Sequence, residues 1–207
     1  MIPEGRVGPR SVTDGTSVTL RLSNAAELVV AQAHGKYAEA VKRGNVWSGG
    51  TAATGVAPGT AIGTTAAFSV HNPLGNKVGL SILRATMGYI SGTLGAGVVH
   101  WLANVNPQLA LPTGTAITMY NAALGLRTTP AGLAFTTATI AAPLILRPFA
   151  SIGASLATTA VQPWQIVEDV DGEFLVLPGA TISLHATAGA GTSPLVVFGV
   201  TWEEIPL

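Results

Sequence analysis

The last two apolar segments, "TISLHATAGAGTSPLVVFGVTW" (181–202), decide the fold. In the first, Ile182, Leu184 and Ala186 alternate with Thr181, Ser183, His185 and Thr187. A period of two with one apolar face predicts a half-buried strand. "AGAGTSP" (188–194) is a loop of small and turn-forming residues, and the pair of runs around it predicts an antiparallel hairpin. In the second run Leu195, Val197 and Gly199 alternate with Val196, Phe198, Val200 and Trp202. Apolar residues on both faces predict a strand covered on both sides. Glu203 and Glu204 then read as a cap where the strand returns to water, and Pro206, with no N–H to donate, ends the ladder.

The same punctuation runs through the rest of the chain. "SVTLRLS" (17–23) alternates cleanly, and "AAFSVHNPLGNKVGLSILRATMGYISG" (66–92) reads as two strands around a turn at 72–76. Pro fixes φ there, and Gly and Asn tolerate positive φ. "GAGVVHWLANV" (95–105), "GTAITMYNAAL" (114–124) and "LAFTTATIAAPLILRPF" (133–149) continue the strand pattern, with 25 Gly and 13 Pro as breakers. One helical segment stands out. "NAAELVVAQAHGKYAEAVKRG" (24–44) has Asn24 and Glu27 at capping-box-like spacing and Lys42 and Arg43 before Gly44. "ELVVAQ" within it suits a short strand, so the expected helix is one or two turns over Lys36–Arg43. "WSGGTAATGVAPGTAIGTTAA" (47–67) predicts a long loop or an irregular edge strand. These readings sum to an all-β fold: an antiparallel β-sandwich over 24–207, with an extended N-terminal arm or first strand over 1–23 and one short helix. At 207 residues this is a single core of ample size.

Charge is scarce and unevenly placed. Only 10% of residues are charged, against about 25% in an average soluble domain. Residues 1–43 hold six basic and four acidic side chains; 44–167 hold only Lys77, Arg84, Arg127 and Arg147; 168–207 hold six acids and no base. A middle so poor in charge resists aggregation weakly when bare, which suits a surface covered by neighbouring subunits. The opposed ends are expected to attract, within a chain or between chains, with Arg6, Arg10, Arg21, Trp202, Glu203 and Glu204 as interface candidates. A net charge of zero offers no basic face for nucleic acid, and no apolar run is long enough to span a bilayer. The first ten residues lack the apolar core of a signal peptide.

Motifs for chemistry are sparse. Without Cys there is no thiolate metal site, disulfide or thiol nucleophile. His34, His71, His100 and His185 stand alone and read as structural. "GASLA" (153–157) is no nucleophile elbow, and "GTLGAGVVH" (92–100) lacks the third glycine of a dinucleotide loop. In "EDVDGE" (168–173), Asp169, Asp171 and Glu173 form a weak calcium candidate, because Asp171-Gly172 resembles the start of a calcium loop whose remainder is missing. An acidic hairpin turn is the simpler reading. No catalytic residue and no cofactor follow from the sequence.

"VDGEFLVLPGATISLHATAGAGTSPLVVFGVTWEEIP" (170–206) resembles the closing strand pairs of jelly-roll proteins of bacteriophage virions, and "HGKYAEAVKRGNVWSG" (34–49) and "FSVHNPLGNKVGLSI" (68–82) look like segments of the same class. The resemblance implies a capsid decoration, cement or short-spike protein, often trimeric, packed on itself and on other capsid proteins at the virion surface after synthesis in the host cytoplasm. It carries no catalytic or ligand residue. A receptor-binding module using the "TLGAG" or "AGAGTSP" loops, a major capsid subunit and a glycan-active enzyme are the competing readings.

Overall fold

A computed structural model describes residues 35–104, 111–126, 128–141, 143–152, 165–188 and 192–207. The chain divides into Met1–Glu39 and Ala40–Leu207. The expected arm and strand within 1–23, His34 and residues 189–191 of the 188–194 loop lie outside the described residues. Helix α1 (Ala38–Lys42) is one short element, with Glu39 in its first turn and Lys42 in its last, as the macrodipole favours.

The remaining elements are strands in two antiparallel sheets. In sheet 1, β6 (Met119–Asn121), β1 (Val46–Gly50), β12 (Leu195–Pro206) and β3 (Val78–Ser91) lie side by side, and β9 (Gln165–Asp169) and β10 (Leu175–Val176) share the far edge of β3. Sheet 2 runs β5 (Thr113–Ala116), β7 (Leu133–Thr139), β2 (Thr65–His71), β11 (Thr181–Ala188), β4 (Gly97–Asn104) and β8 (Leu144–Ile152). Among the described residues the architecture is a β-sandwich with one short helix.

The pairings are nested. β1 pairs with β12, β2 with β11, β3 with β9 and β4 with β8, and in all four the partners' residue numbers add to between 247 and 253. Val46 opposite Glu203 and Ala103 opposite Leu144 are near the two ends of this series. The chain is therefore one long antiparallel ribbon folded back on itself, its successive rungs assigned alternately to the two sheets. β7 and β6 extend the two sheets beyond β2 and β1.

Trp101, Trp202, Phe68, Phe198, Leu80, Ile82, Met87 and Leu184 fill the space between the sheets. Burial of each large apolar side chain contributes about 1.5–3 kcal/mol. The turn after β2 is built as the Asn-Pro and Gly-Asn pairs predict: buried Asn72 donates from Nδ2 to the carbonyls of Val78 and Val176, and Gly75 takes φ +97°.

Four expectations change. The two C-terminal runs do not form a hairpin, since β11 lies between β2 and β4 in sheet 2 and β12 between β3 and β1 in sheet 1. In β12, Val196, Phe198, Val200 and Trp202 are buried while the opposite face is partly exposed, so the strand is one-sided. β11 is the strand covered on both faces: Thr181, Ser183 and His185 are buried as completely as Ile182, Leu184 and Ala186. Alternation reports which face is apolar, whereas coverage depends on what lies over a central strand. Finally, 47–50 is neither loop nor edge, since β1 sits between β12 and β6 with Trp47 in the core. Its glycines answer crowding: a Cβ at Gly50 would come 3.3 Å from the Phe198 carbonyl oxygen.

Candidate functional site

The strongest polar constellation joins the two sheets at the side where β8 and β9 form their edges. Arg147 lies in the apolar run of β8 and faces inward. It donates from Nη2 to Glu168 Oε1 (2.7 Å) and from Nη1 to Glu173 Oε2 (2.6 Å). The other Glu168 oxygen accepts from Trp101 Nε1 of β4 at 2.6 Å. The guanidinium stands 4.8 Å over the Phe174 ring, and Trp101 meets Phe149 and Phe174 edge-on at 5.9 and 5.7 Å. Charge-assisted bonds of this length are the stronger kind, and here they tie β8 and β4 of sheet 2 to β9 of sheet 1. The register explains the inward turn of Glu168: it pairs with the core residue Ala85, whereas Asp169 pairs with exposed Arg84 and bonds it at 2.6 Å.

Two of the four basic residues of the charge-poor middle are thus bound to the acidic C-terminal segment within one chain. The signal for this was a lone Arg in "PLILRPF", where a charge amid aliphatics requires an inward partner. The sequence reading passed over it. The calcium candidates do not converge. Asp169 faces Arg84, Glu173 faces Arg147, and Asp171 sits at φ +56° in the turn with Gly172. Among the described residues no group of three His, Asp or Glu could hold a metal ion.

The C-terminal acids differ from each other. Glu203 is on the outer face of sheet 1, between Val46 and Ser81. Glu204 turns the other way and accepts from the backbone N–H groups of Ala131 (2.8 Å) and Gly132 (2.9 Å). Burial pushes its carboxyl above the usual range, while these two bonds and the nearby Trp202 indole hold it back. It is a clamp on the strand entering β7, not a solvent cap. Trp202, an expected interface residue, is instead buried in the chain's own core. Arg6, Arg10 and Arg21 lie outside the described residues.

His71, His100 and His185 share the outer face of sheet 2, away from Phe68, Trp101 and Leu184. His71 Nδ1 pairs with Thr181 Oγ1 (2.9 Å) and His185 Nε2 with Ser183 Oγ (3.1 Å). Burial lowers both rings' proton affinity, His185 to about 4.

At the periphery, large aliphatic side chains face water: Leu144, Ile145 and Leu146 on β8, and Leu175, Leu177, Ile205 and Leu207 beside β3. Leu175 and Leu207 flank Gly79 together. No family model, no curated protein and no solved structure matches the chain.

Proposed function

We propose that the chain is a non-enzymatic virion structural protein, a capsid decoration, cement or minor capsid subunit that stabilises a shell by packing on copies of itself, as a trimer, and on other capsid proteins. The fold assigned to it is a jelly roll. A single ribbon of nested antiparallel pairs rolled into two sheets supports that assignment, and jelly rolls are common in capsid and lectin domains. The observation that carries the role is the surface. A sandwich with very few charges exposes aliphatic residues on β8 and around Gly79. Exposed apolar area of this kind marks interaction sites on soluble domains. Subunit contacts bury it, each standard interface removing about 1,600 Å². The reading calls for neither nucleic acid nor membrane.

The test is the solution mass of the purified protein by light scattering at low and high salt. A trimer or larger species that persists on dilution is expected, and because Arg84 and Arg147 are neutralised within the chain, salt leaves it largely intact. A monomer at all concentrations and both salts refutes the role.

A further inference from the structure

The edge of sheet 1 beside β3 is interrupted by a seated loop. β9 and β10 run along β3 in one direction, with Asp169 opposite Arg84 and Leu175 opposite Ser81. Five residues, 170–174, therefore stand against only two, Ile82 and Leu83. The surplus forms a tight turn closed by the Glu173 N–H on the Val170 carbonyl (3.1 Å), with Asp171 at φ +56° and Gly172 at φ +88°. An Asp-Gly pair adopts these left-handed values with little strain. Backbone bonds hold the turn down on β3. Val170 and Asp171 donate to the Leu83 carbonyl (2.8 and 2.9 Å), Gly172 donates to the Ile82 carbonyl (2.8 Å), and Ile82 donates back to Phe174 (2.9 Å). The side chains anchor it too: Val170 is in the core, Glu173 bonds Arg147 at 2.6 Å, and Phe174 lies under the Arg147 guanidinium. Asp171 itself is exposed.

We propose that Asp171 is a latent isomerisation site, silent while this loop is seated on β3 and converted to isoaspartate when the loop lifts. Aspartate before glycine isomerises without an enzyme, because no side chain on the glycine hinders its nitrogen. The Gly172 nitrogen attacks Cγ of the protonated Asp171 carboxyl and a C–N bond forms. The N–H proton and the carboxyl hydroxyl leave as water, closing a five-membered imide. Water then adds to one of the two imide carbonyls. Opening at Cγ restores aspartate, whereas opening at the former peptide carbonyl leaves the chain running through Cβ and Cγ with the α-carboxylate free. Neither oxidant nor reductant is consumed, and the mass of the chain is unchanged.

The seated geometry withholds the nucleophile. The Gly172 N–H is committed to the Ile82 carbonyl, and the bonds from Val170 and Asp171 to Leu83 fix the backbone on its other side. Attack requires the peptide to turn its nitrogen toward Cγ, which breaks the bond to Ile82. Local opening of an edge is what supplies that freedom. The product does not reseat. Isoaspartate adds a methylene to the main chain between Val170 and Gly172, in a turn already packed so closely that a Cβ at Gly172 would lie 3.0 Å from Ser81 Oγ. Glu173 and Phe174, which follow the turn, then lose their places on Arg147, so a transient opening becomes a permanent loosening of the contact between the sheets. This chemistry is independent of the virion role.

The sequence holds two Asp-Gly pairs, Asp14-Gly15 and Asp171-Gly172, and cleavage after glutamate separates them by releasing 169–173 as its own peptide. The isoaspartyl form of that peptide has the same mass and a different retention time, and isoaspartyl methyltransferase labels it. The full chain is held at neutral pH and body temperature, either folded or in denaturing guanidinium chloride, and the peptide is sampled over time. The folded chain is expected to form isoaspartate at 171 at least about fivefold more slowly than the unfolded chain, the factor that one backbone hydrogen bond contributes. Arg147→Met, which frees Glu173 and Phe174, should raise the folded rate at least about twofold, the low end of what a cation–π contact contributes. Equal rates in folded and unfolded wild type, no isoaspartate at 171 in either, or a folded Arg147→Met chain reacting at the wild-type rate overturns the proposal. Should Arg147→Met not fold, the wild-type comparison decides alone.

Discussion

Replacing Arg147 with Met keeps most of the side-chain volume and removes the charge that joins the two sheets. Two ion pairs are lost, and their surroundings set unequal values. Glu173 is 57% exposed, so its pair contributes about 0–1 kcal/mol. Glu168 is only 22% exposed and keeps a bond to Trp101 but loses its counter-charge. Removing one partner of a fully buried pair costs about 3–5 kcal/mol. Arg147 is itself 32% exposed, which lets water reach the site and brings the expected cost to about 2 kcal/mol. Loss of the cation over Phe174 adds about 0.5–1 kcal/mol, for a total near 3 kcal/mol. Urea unfolding followed by tryptophan fluorescence measures this directly, since Trp101 touches the cluster. Glu173→Gln should cost under about 1 kcal/mol. The Arg147→Met/Glu168→Gln double variant should be more stable than the sum of the singles implies, by about 1–2 kcal/mol, because it leaves no uncompensated carboxylate. A loss below 1 kcal/mol for Arg147→Met, or strict additivity in the cycle, would refute the claim that this cluster fastens the sandwich.

Two further predictions concern the backbone. Glu204→Ala strips two N–H groups of their acceptor and should cost about 1–2 kcal/mol, whereas Glu204→Gln, whose amide oxygen still accepts, should cost less; protection of the Ala131 and Gly132 amides from hydrogen exchange reports the difference. Because burial raises the folded-state pKa of Glu204, the folded chain binds its proton more tightly than the unfolded one does. Wild type should therefore gain stability relative to Glu204→Gln as pH falls from 7 toward 4.5, in paired urea titrations. Gly92→Ala should lower stability by about 2 kcal/mol or more in thermal unfolding, since φ is +85° and the added Cβ would meet the Ser193 carbonyl.

The local elements were legible in the sequence because their causes are local. Period-two runs, Asn-Pro and Gly-Asn punctuation and the basic end before Gly44 are properties of a few adjacent residues, and they specify the β2 and β3 strands, the 72–76 turn, α1 and the two C-terminal strands, although not the sheet that each joins. The all-β class followed from their number. What tertiary structure alone decided are the relations between residues far apart in the chain. Nothing near Val46 announces Glu203 as its partner, and the Gly-rich 47–50 stretch became an interior strand through the two neighbours that flank it. The same holds for coverage: polar Thr181, Ser183 and His185 are buried as fully as their apolar neighbours, although their alternation points them to water. Arg147 and Glu168 read as isolated charges until β8 and β9 meet across the two sheets. Composition limits how many charges there are, but a charge finds its partner only where the ribbon has rolled, because Coulomb attraction and hydrogen bonding act over a few ångströms of space and are indifferent to distance along the chain.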